Sequence, residues 1–202
     1  MLVSAVLSFS SIALATEPKV LFTTGTMGIY PTPAEDAKSY GKVLVASRLE
    51  VLERRPNRLR VKLSGWHQDG AARILYALPG KRIMVAVLAS QSTHRLVELN
   101  SIKDPDTDIV WKGVSFEGWI GNNELADDLE TIWKSAWELF ATRCTVCHQR
   151  RIPHKYTANQ WVSLLKVMGP RTGLPKDKQR LILKFLQNHA SDAAAPKTIT
   201  KP

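Results

Sequence analysis

The chain has 202 residues, of which 44% are hydrophobic and 23% charged, a composition that favours a folded protein over a disordered one. This length allows one sizeable hydrophobic core or two small ones. The formal net charge of +10 at pH 7 favours acidic partners, such as nucleic acid, anionic lipid or an acidic protein surface.

The first fifteen residues, MLVSAVLSFSSIALA, carry no charge, are largely apolar and end in Ala13-Leu14-Ala15. This pattern predicts a signal peptide (residues 1–15) cleaved before Thr16, although the usual basic segment is missing before Lys19. Either the signal is atypical or the start codon is assigned too late, and the alternative is a buried N-terminal strand or helix. We expect an exported, periplasmic protein with no transmembrane anchor after cleavage, which argues against binding nucleic acid.

Residues 16–125 have the pattern of short strands separated by turns. Arg58–Leu63 alternates charged and apolar residues, and 82–89 and 109–120 are rich in β-branched and aromatic residues. Turn residues separate these stretches at Pro56-Asn57, Asp69-Gly70, Pro79-Gly80 and Asp104-Pro105-Asp106. The related stretches VKLSGWHQ and VSFEGWIG suggest a small SH3-like barrel. We therefore predict an all-β domain, whose role is to position the following domain on a partner, to bind a peptide-like segment of a partner, or to act as a structural spacer.

The hydrophobic period changes to that of helices in residues 126–191. One apolar stripe runs from Leu129 to Phe140 at helical spacing. A second helix is predicted to begin at the capping box Thr157-x-x-Gln160 and a third at Pro175, ending near His189. The predicted fold class is therefore α+β with segregated domains, an SH3-like domain followed by a three-helix cytochrome c-like domain. Residues 192–202 are predicted to be a disordered tail.

Both cysteines lie in the motif Cys144-Thr145-Val146-Cys147-His148. A thioredoxin-type dithiol normally follows a strand, whereas a helix precedes this motif, and a structural zinc site needs about four ligands. Cys-x-x-Cys-His is the signature of covalent haem c attachment, with Cys144 and Cys147 as thioether positions and His148 as the proximal iron ligand. A simple Cys144–Cys147 disulfide is the remaining alternative. A three-helix domain of this size has a marginal core, so we expect it to be poorly folded without haem.

Met168 is the leading candidate for the second axial ligand, because it follows His148 by twenty residues on the apolar face of the second helix. Its alternative role is ordinary core packing. His189 is the competing ligand, whereas His154 is too close to His148 to reach over the iron. The remaining histidines and methionines of the strand-rich part are expected to be structural or exposed: His67, His94, Met27 and Met84. The aspartates of 104–108 resemble a fragment of a calcium loop, but a turn fits them better.

The stretches CTVCH, YTANQWVSLLKVM and RLILKFLQNHA resemble the C-terminal haem domain of the pentahaem c-type cytochromes that serve trimethylamine N-oxide and dimethyl sulfoxide reductases. VLFTTGTMGIYPTP and ARILYALPGKRIMVAVL resemble the segment leading into that domain. The resemblance implies an electron carrier, not an enzyme, that delivers electrons to a periplasmic molybdenum-containing reductase. By position it implies one haem c on Cys144 and Cys147, with His148 and Met168 as iron ligands.

The family carries four further haem motifs and a membrane anchor, whereas this sequence has one haem motif and a predicted signal peptide. It therefore resembles the terminal domain made free-standing, which implies a separate donor, an upstream cytochrome or a quinol-oxidising protein. Residues 149–190 contain nine Lys or Arg and one acid, Asp177. They could form a basic rim that docks on an acidic face of the reductase, or simply solvated helix faces.

Two other functions stay open at this stage. The first is a haem enzyme or sensor with an open sixth coordination position, which binds peroxide or a small gas. Only His154 would then be available as a distal acid–base residue. The second is a protein that regulates or matures a reductase. Both an N-oxide and an S-oxide stay open as the final acceptor.

Overall fold

The computed structural model describes residues 19–146, 149 and 151–193. The predicted signal peptide, Cys147, His148 and residues 194–202 of the predicted tail lie outside the described residues. The described chain is strand-rich up to Ala126 and helical after it, which confirms the α+β class. The SH3-like type of the strand-rich part stays a prediction. None of the described helices is long and apolar enough to cross a bilayer.

Ten strands and three α-helices follow one another along the described residues. The strands are β1 Val20–Thr23, β2 Met27–Ile29, β3 Gly41–Val43, β4 Arg48–Arg54, β5 Arg58–Gln68, β6 Ile74–Tyr76, β7 Met84–Leu88, β8 Val97–Lys103, β9 Val110–Gly121 and β10 Leu125–Ala126. The helices are α1 Leu129–Arg143, α2 Ala158–Met168 and α3 Lys176–Asn188. The three strands predicted from the sequence correspond to β5, β7 and β9.

The sheet curls until its two sides meet. β5 pairs antiparallel with β9 along its whole length, and β6, β7, β3 and β2 follow in order beyond the opposite edge of β5. A bridge between Tyr30 and Trp119, with backbone hydrogen bonds of 2.8 Å in both directions, joins the end of β2 to β9. The strands therefore enclose a barrel-like core, in which alternate residues of β5 such as Leu59, Val61 and Leu63 are buried.

Each helix begins at a capping residue or a proline, and the starts of α2 and α3 are those predicted from the sequence. The Asp128 carboxylate accepts a hydrogen bond from the Thr131 N–H at the start of α1. Thr157 and Gln160 form the predicted capping box of α2. α3 begins directly after Pro175. These local predictions of the helical region are confirmed.

The helical region is attached to the barrel through residues 80–84, which precede and begin β7. The Asn159 side chain bonds the Gly80 carbonyl and the Arg82 N–H, and the Gln187 amide donates to the Arg82 carbonyl. Lys184 donates from its Nζ to the Met84 carbonyl at 2.6 Å. These contacts fix the orientation of α2 and α3 on the barrel.

Asp192, the first residue of the predicted tail, lies among the described residues. Asp192 accepts from Lys81 at 2.5 Å through one carboxylate oxygen and from the Ala158 N–H at 2.7 Å through the other. A barrel lysine and a helix N-terminus thus hold this carboxylate, and the boundary of the tail stays a prediction. Disorder of 194–202 stays a prediction.

Candidate functional site

Cys144 lies at the C-terminal end of α1, where its N–H donates to the Phe140 carbonyl. It is half-buried and packs against the hydrophobic cluster of the helical region. Burial raises the pKa of the free thiol, which favours its protonated form. Its predicted partners, Cys147 and His148, lie outside the described residues.

Met168 is the last residue of α2. It follows Trp161 and Leu165 at helical spacing, and all three side chains pack in the same cluster as Cys144. Trp161 is fully buried, whereas Met168 is only partly buried at the end of this face. The side chain is therefore at the boundary between core and surface, where a ligand could reach it.

His189 lies at the far end of α1. Its ring packs 4.1 Å from that of Phe185 and 5.7 Å from that of Trp133, and its Nδ1 is 2.8 Å from the Phe185 carbonyl. Trp133 precedes Cys144 by eleven residues in a continuous helix, which corresponds to about 16 Å along the axis. The structure therefore does not bring His189 to Cys144.

The directions of the helices bring Cys144 and Met168 to one end. α1 runs opposite to α3, because Trp133 contacts the C-terminal part of α3. α2 also runs opposite to α3, since Gln187 donates to the Ala158 carbonyl and the N–H of Ser191 to that of Tyr156. The C-terminal ends of α1 and α2 therefore lie together, beside the N-terminus of α3.

Several apolar side chains of the helical region are exposed, and two of them are close in sequence to Cys144 and Met168. Four large apolar side chains of the helical region are substantially exposed: Trp137 (36%), Val146 (77%), Ile152 (49%) and Val167 (58%). Val146 is two residues from Cys144, and Val167 is next to Met168. Exposed apolar side chains beside Cys144 and Met168 are compatible with a ligand at this end. A flat apolar porphyrin fits the thiol, thioether and apolar groups of this end.

Exposed basic residues surround the same end. Lys166, Arg171, Lys176, Lys178 and Arg180 come from the end of α2, the following turn and the start of α3. Lys184, one of the nine basic residues counted in 149–190, does not belong to this rim. It is 6% exposed against the barrel, and burial lowers its pKa to about 7. The sequence around Lys184 gives no sign of this burial, because the contacts that cause it come from residues 80–84.

The other predicted candidates are structural or exposed. His67 is buried with Nδ1 2.8 Å from the Gln68 carbonyl, Met27 lies in the barrel core, and His94, His154 and Met84 are exposed. Asp104 accepts from the N–H groups of Asp106 and Thr107 at 3.0 Å, as expected of a turn. The Thr107 hydrogen bond is the main cause that lowers its pKa. The described residues, which omit Cys147 and His148, contain no cluster of three or more His, Cys, Asp or Glu able to hold a metal ion.

A Cys-x-x-Cys-His motif that follows a packed helix, with a methionine at the same end of the helical region, is the arrangement of a c-type cytochrome. The chain belongs to the TorC third cytochrome c domain family, whose model matches residues 15–125. The matched residues are the strand-rich part and contain no cysteine. A cytochrome c domain implies covalently bound haem c, and in this chain both cysteines follow the matched residues.

Curated relatives extend the similarity into the helical region. The chain is 32% identical over 160 residues to the cytochrome c-type protein TorC of Escherichia coli O157:H7, which covers 79% of this chain and 41% of that protein. It is 33% identical over 132 residues to the cytochrome c-type protein TorY of Haemophilus influenzae, which covers 65% of this chain and 36% of that protein. No solved structure matches the chain.

The extent of the TorC match includes the cysteine motif. A continuous stretch of 160 residues in a chain of 202 leaves 42 residues for the two ends, so it has to contain residues 43–160. The chain spans about two fifths of the length of these TorC and TorY relatives.

Proposed function

We propose that this chain is a periplasmic monohaem electron carrier that delivers electrons to a molybdenum-containing N-oxide or S-oxide reductase. Cys144 and Cys147 would form the thioether bonds to one haem c, and His148 and Met168 would be the two iron ligands. An upstream cytochrome or a quinol-oxidising protein would supply the electrons. The domain would be a three-helix cytochrome c-like unit on an SH3-like barrel.

The observation that carries this proposal is the shared position of Cys144 and Met168. Both lie at the C-terminal ends of their helices, in one hydrophobic cluster, whereas His189 packs on Trp133 at the opposite end. A haem attached at Cys144 would therefore reach Met168 without rearrangement of the helices. This favours Met168 over His189 as the second ligand.

The residues of this end also suit electron transfer. When bound, the haem supplies a one-electron redox couple. Met168 would be the second iron ligand, and thioether ligation raises the reduction potential. The exposed apolar side chains of Val146 and Val167 would keep water from the porphyrin. A closed, dry site of this kind passes electrons and leaves no position for a substrate.

The basic rim supports docking to an acidic partner. Lys166, Arg171 and Lys176 are exposed around the proposed haem edge. Of the five rim residues, only Lys178 forms an ion pair with another described residue, a 4.0 Å contact with Asp177. Positive charge around a redox centre steers association with an acidic face and makes the rate depend on salt. The TorC and TorY relatives are named as c-type cytochromes, which supports an electron-carrying role for this chain.

The test is the optical spectrum of the haem-loaded protein in its oxidised state. We expect the weak long-wavelength sulfur-to-iron band of methionine ligation, lost in Met168→Ala and retained in His189→Gln. Met84→Ala is the matched control, because Met84 is a partly exposed methionine on the barrel. A band retained in Met168→Ala would refute the ligand assignment. A wild-type protein without the band that binds carbon monoxide readily would favour the enzyme or sensor function.

Docking is tested separately by the rate at which the reduced protein transfers electrons to a purified reductase. The rate should fall steeply with ionic strength, and the double variant Lys176→Glu/Lys178→Glu should slow it. Arg48→Glu/Arg54→Glu, on the barrel strand β4, is the control with the same change of charge. A rate that is independent of salt would contradict docking through this rim.

A further inference from the structure

The barrel closes along a seam, where the end of β2 meets β9. This seam contains a polar groove that neither the proposed haem site nor the fold accounts for. Its volume is about 460 Å³, and it is lined by Tyr40, Arg60, Arg95, Val97, Glu117 and Trp119, among others. We refer to it as the seam groove. Its size is that of a site for a small molecule or for one or two side chains of a partner.

The backbone edge of β9 is open in the seam groove. β8 pairs with β9 up to the Val97–Ser115 position, and Tyr30 pairs with Trp119. Trp119 directs both its N–H and its carbonyl to Tyr30, away from β5. Because these groups alternate in direction along a strand, Glu117 also directs its backbone groups away from β5. On this side no strand of the described residues is paired with Glu117, so its N–H is available to a ligand.

Two guanidinium groups face the same opening. Arg95 lies 4.9 Å above the Tyr40 ring. This contact uses the face of the guanidinium and leaves its N–H groups for hydrogen bonds. No ion pair of Arg95 occurs in the described part of the chain. Arg60 donates to the Glu117 carboxylate at 2.8 Å, and each of these two side chains is 46% exposed.

The neighbouring strands restrict what the seam groove can hold. Ser115 and Trp119 are four residues apart, or about 13 Å along β9, and the chain occupies both ends of this gap. A strand of useful length therefore cannot be added beside Glu117. Backbone N–H and guanidinium donors around one short gap fit a carboxylate, which accepts several hydrogen bonds through its two oxygens.

We propose that the seam groove is a carboxylate-binding site. Arg95 and the Glu117 N–H are its donors, and the Glu117 carboxylate is a built-in competitor that occupies Arg60. The carboxylate is either an acidic side chain of a partner protein or a small free dicarboxylate. The site lies on the barrel and does not depend on the proposed haem ligation.

The experiment is a titration of the ¹⁵N-labelled, haem-loaded protein with two probes, followed by NMR at the Glu117 amide and the Arg95 Nε–H. The probes are the peptide acetyl-Gly-Glu-Glu-Gly-amide and free glutarate. We expect both signals to shift together. Arg95→Gln should weaken binding about tenfold, since it removes a charged hydrogen bond. Glu117→Gln should strengthen binding, because it removes the competitor of Arg60.

Two control variants make the same charge changes outside the groove. Arg54→Gln removes an exposed positive charge on β4, and Glu53→Gln removes a carboxylate that pairs with Arg55 there. Neither should change the affinity by more than about twofold. Tighter binding of the peptide would identify an acidic protein segment as the ligand, and equal or tighter binding of glutarate a free dicarboxylate. Absence of binding, or equal effects of the groove and control variants, would overturn the proposal.

Discussion

The strand-rich and helical regions complete their cores in different ways. In the barrel, backbone hydrogen bonds close the sheet around residues such as Ile29 and Leu75, which are fully buried. Its exposed apolar residues, such as Leu99, lie mainly on edge strand β8, outside this core. In the helical region Trp161 is fully buried, but apolar side chains are left exposed beside Cys144 and Met168. The barrel therefore covers its own core, whereas the helical region leaves apolar side chains that the proposed haem would cover.

The largest expected effect tests whether the helical region depends on a bound group and the barrel does not. In the variant Cys144→Ser/Cys147→Ser, which cannot attach haem, the helices should lose the group that covers their apolar end. We expect amide protection in α1 and α2 to fall by at least about a hundredfold, while β5 and β9 stay protected. Hydrogen exchange followed by mass spectrometry measures both regions in one sample. Equal protection of the helices with and without haem would contradict the comparison.

The second prediction concerns Lys184, at the junction of the two regions. Burial lowers its pKa to about 7 from an ordinary value of 10.5. Between these values the unfolded chain holds a proton that the folded chain does not, so the free energy of unfolding should rise with pH. The rise is up to roughly 5 kcal/mol, at 1.36 kcal/mol for each pKa unit. Below pH 7 the lysine is charged in both states and contributes no further change.

Urea unfolding of the haem-loaded protein from pH 6 to pH 10 measures this slope. Lys184→Met keeps the apolar stem and should remove most of the slope. Lys178→Met, an exposed lysine of the same helix, is the matched control and should leave it unchanged. A slope that is the same in all three proteins would show that Lys184 does not titrate in this range.

The sequence predicts those features of both regions that depend on neighbouring residues. The alternation of β5, the stripe of α1 and the Thr157 capping box are local patterns, and each occurs where predicted. The closing bridge between Tyr30 and Trp119 joins residues 89 positions apart, and no local pattern encodes it. The burial of Lys184 is hidden for the same reason, because it depends on the carbonyl of Met84.

The candidate site, too, is only partly predictable from local sequence. Spacing along α2 selects Met168 as a possible ligand, but it cannot exclude His189. That comparison needs the directions of three helices, which depend on contacts such as Trp133 with His189 and Gln187 with Ala158. The open edge at Glu117 also could not be predicted, because it is a gap between two pairings that are distant in sequence.

The third prediction acts on the barrel alone. A Cβ added at Gly118 would lie 2.6 Å from Cγ1 of Ile29, a fully buried residue, so β2 and β9 would have to separate where the barrel closes. Gly118→Ala should therefore reduce the free energy of unfolding by about 2 kcal/mol. Urea unfolding measures this, with Ser64→Ala on the exposed face of β5 as a control expected within about 0.5 kcal/mol. A neutral Gly118→Ala would mean that the seam is looser than the structure indicates.

The smallest expected effect acts on the helical region alone. Thr157→Ala removes the side chain that accepts from the Gln160 N–H, and loss of such a cap costs about 1 kcal/mol. Hydrogen exchange should therefore quicken several-fold in the first turn of α2 and not in β5, with Thr142→Ala on α1 as the control. Met168 lies at the other end of α2, so the proposed sulfur-to-iron band should survive this substitution. Loss of the band in Thr157→Ala would mean that ligation depends on the whole of α2, and that the haem end and the capped end of this helix cannot be treated as independent.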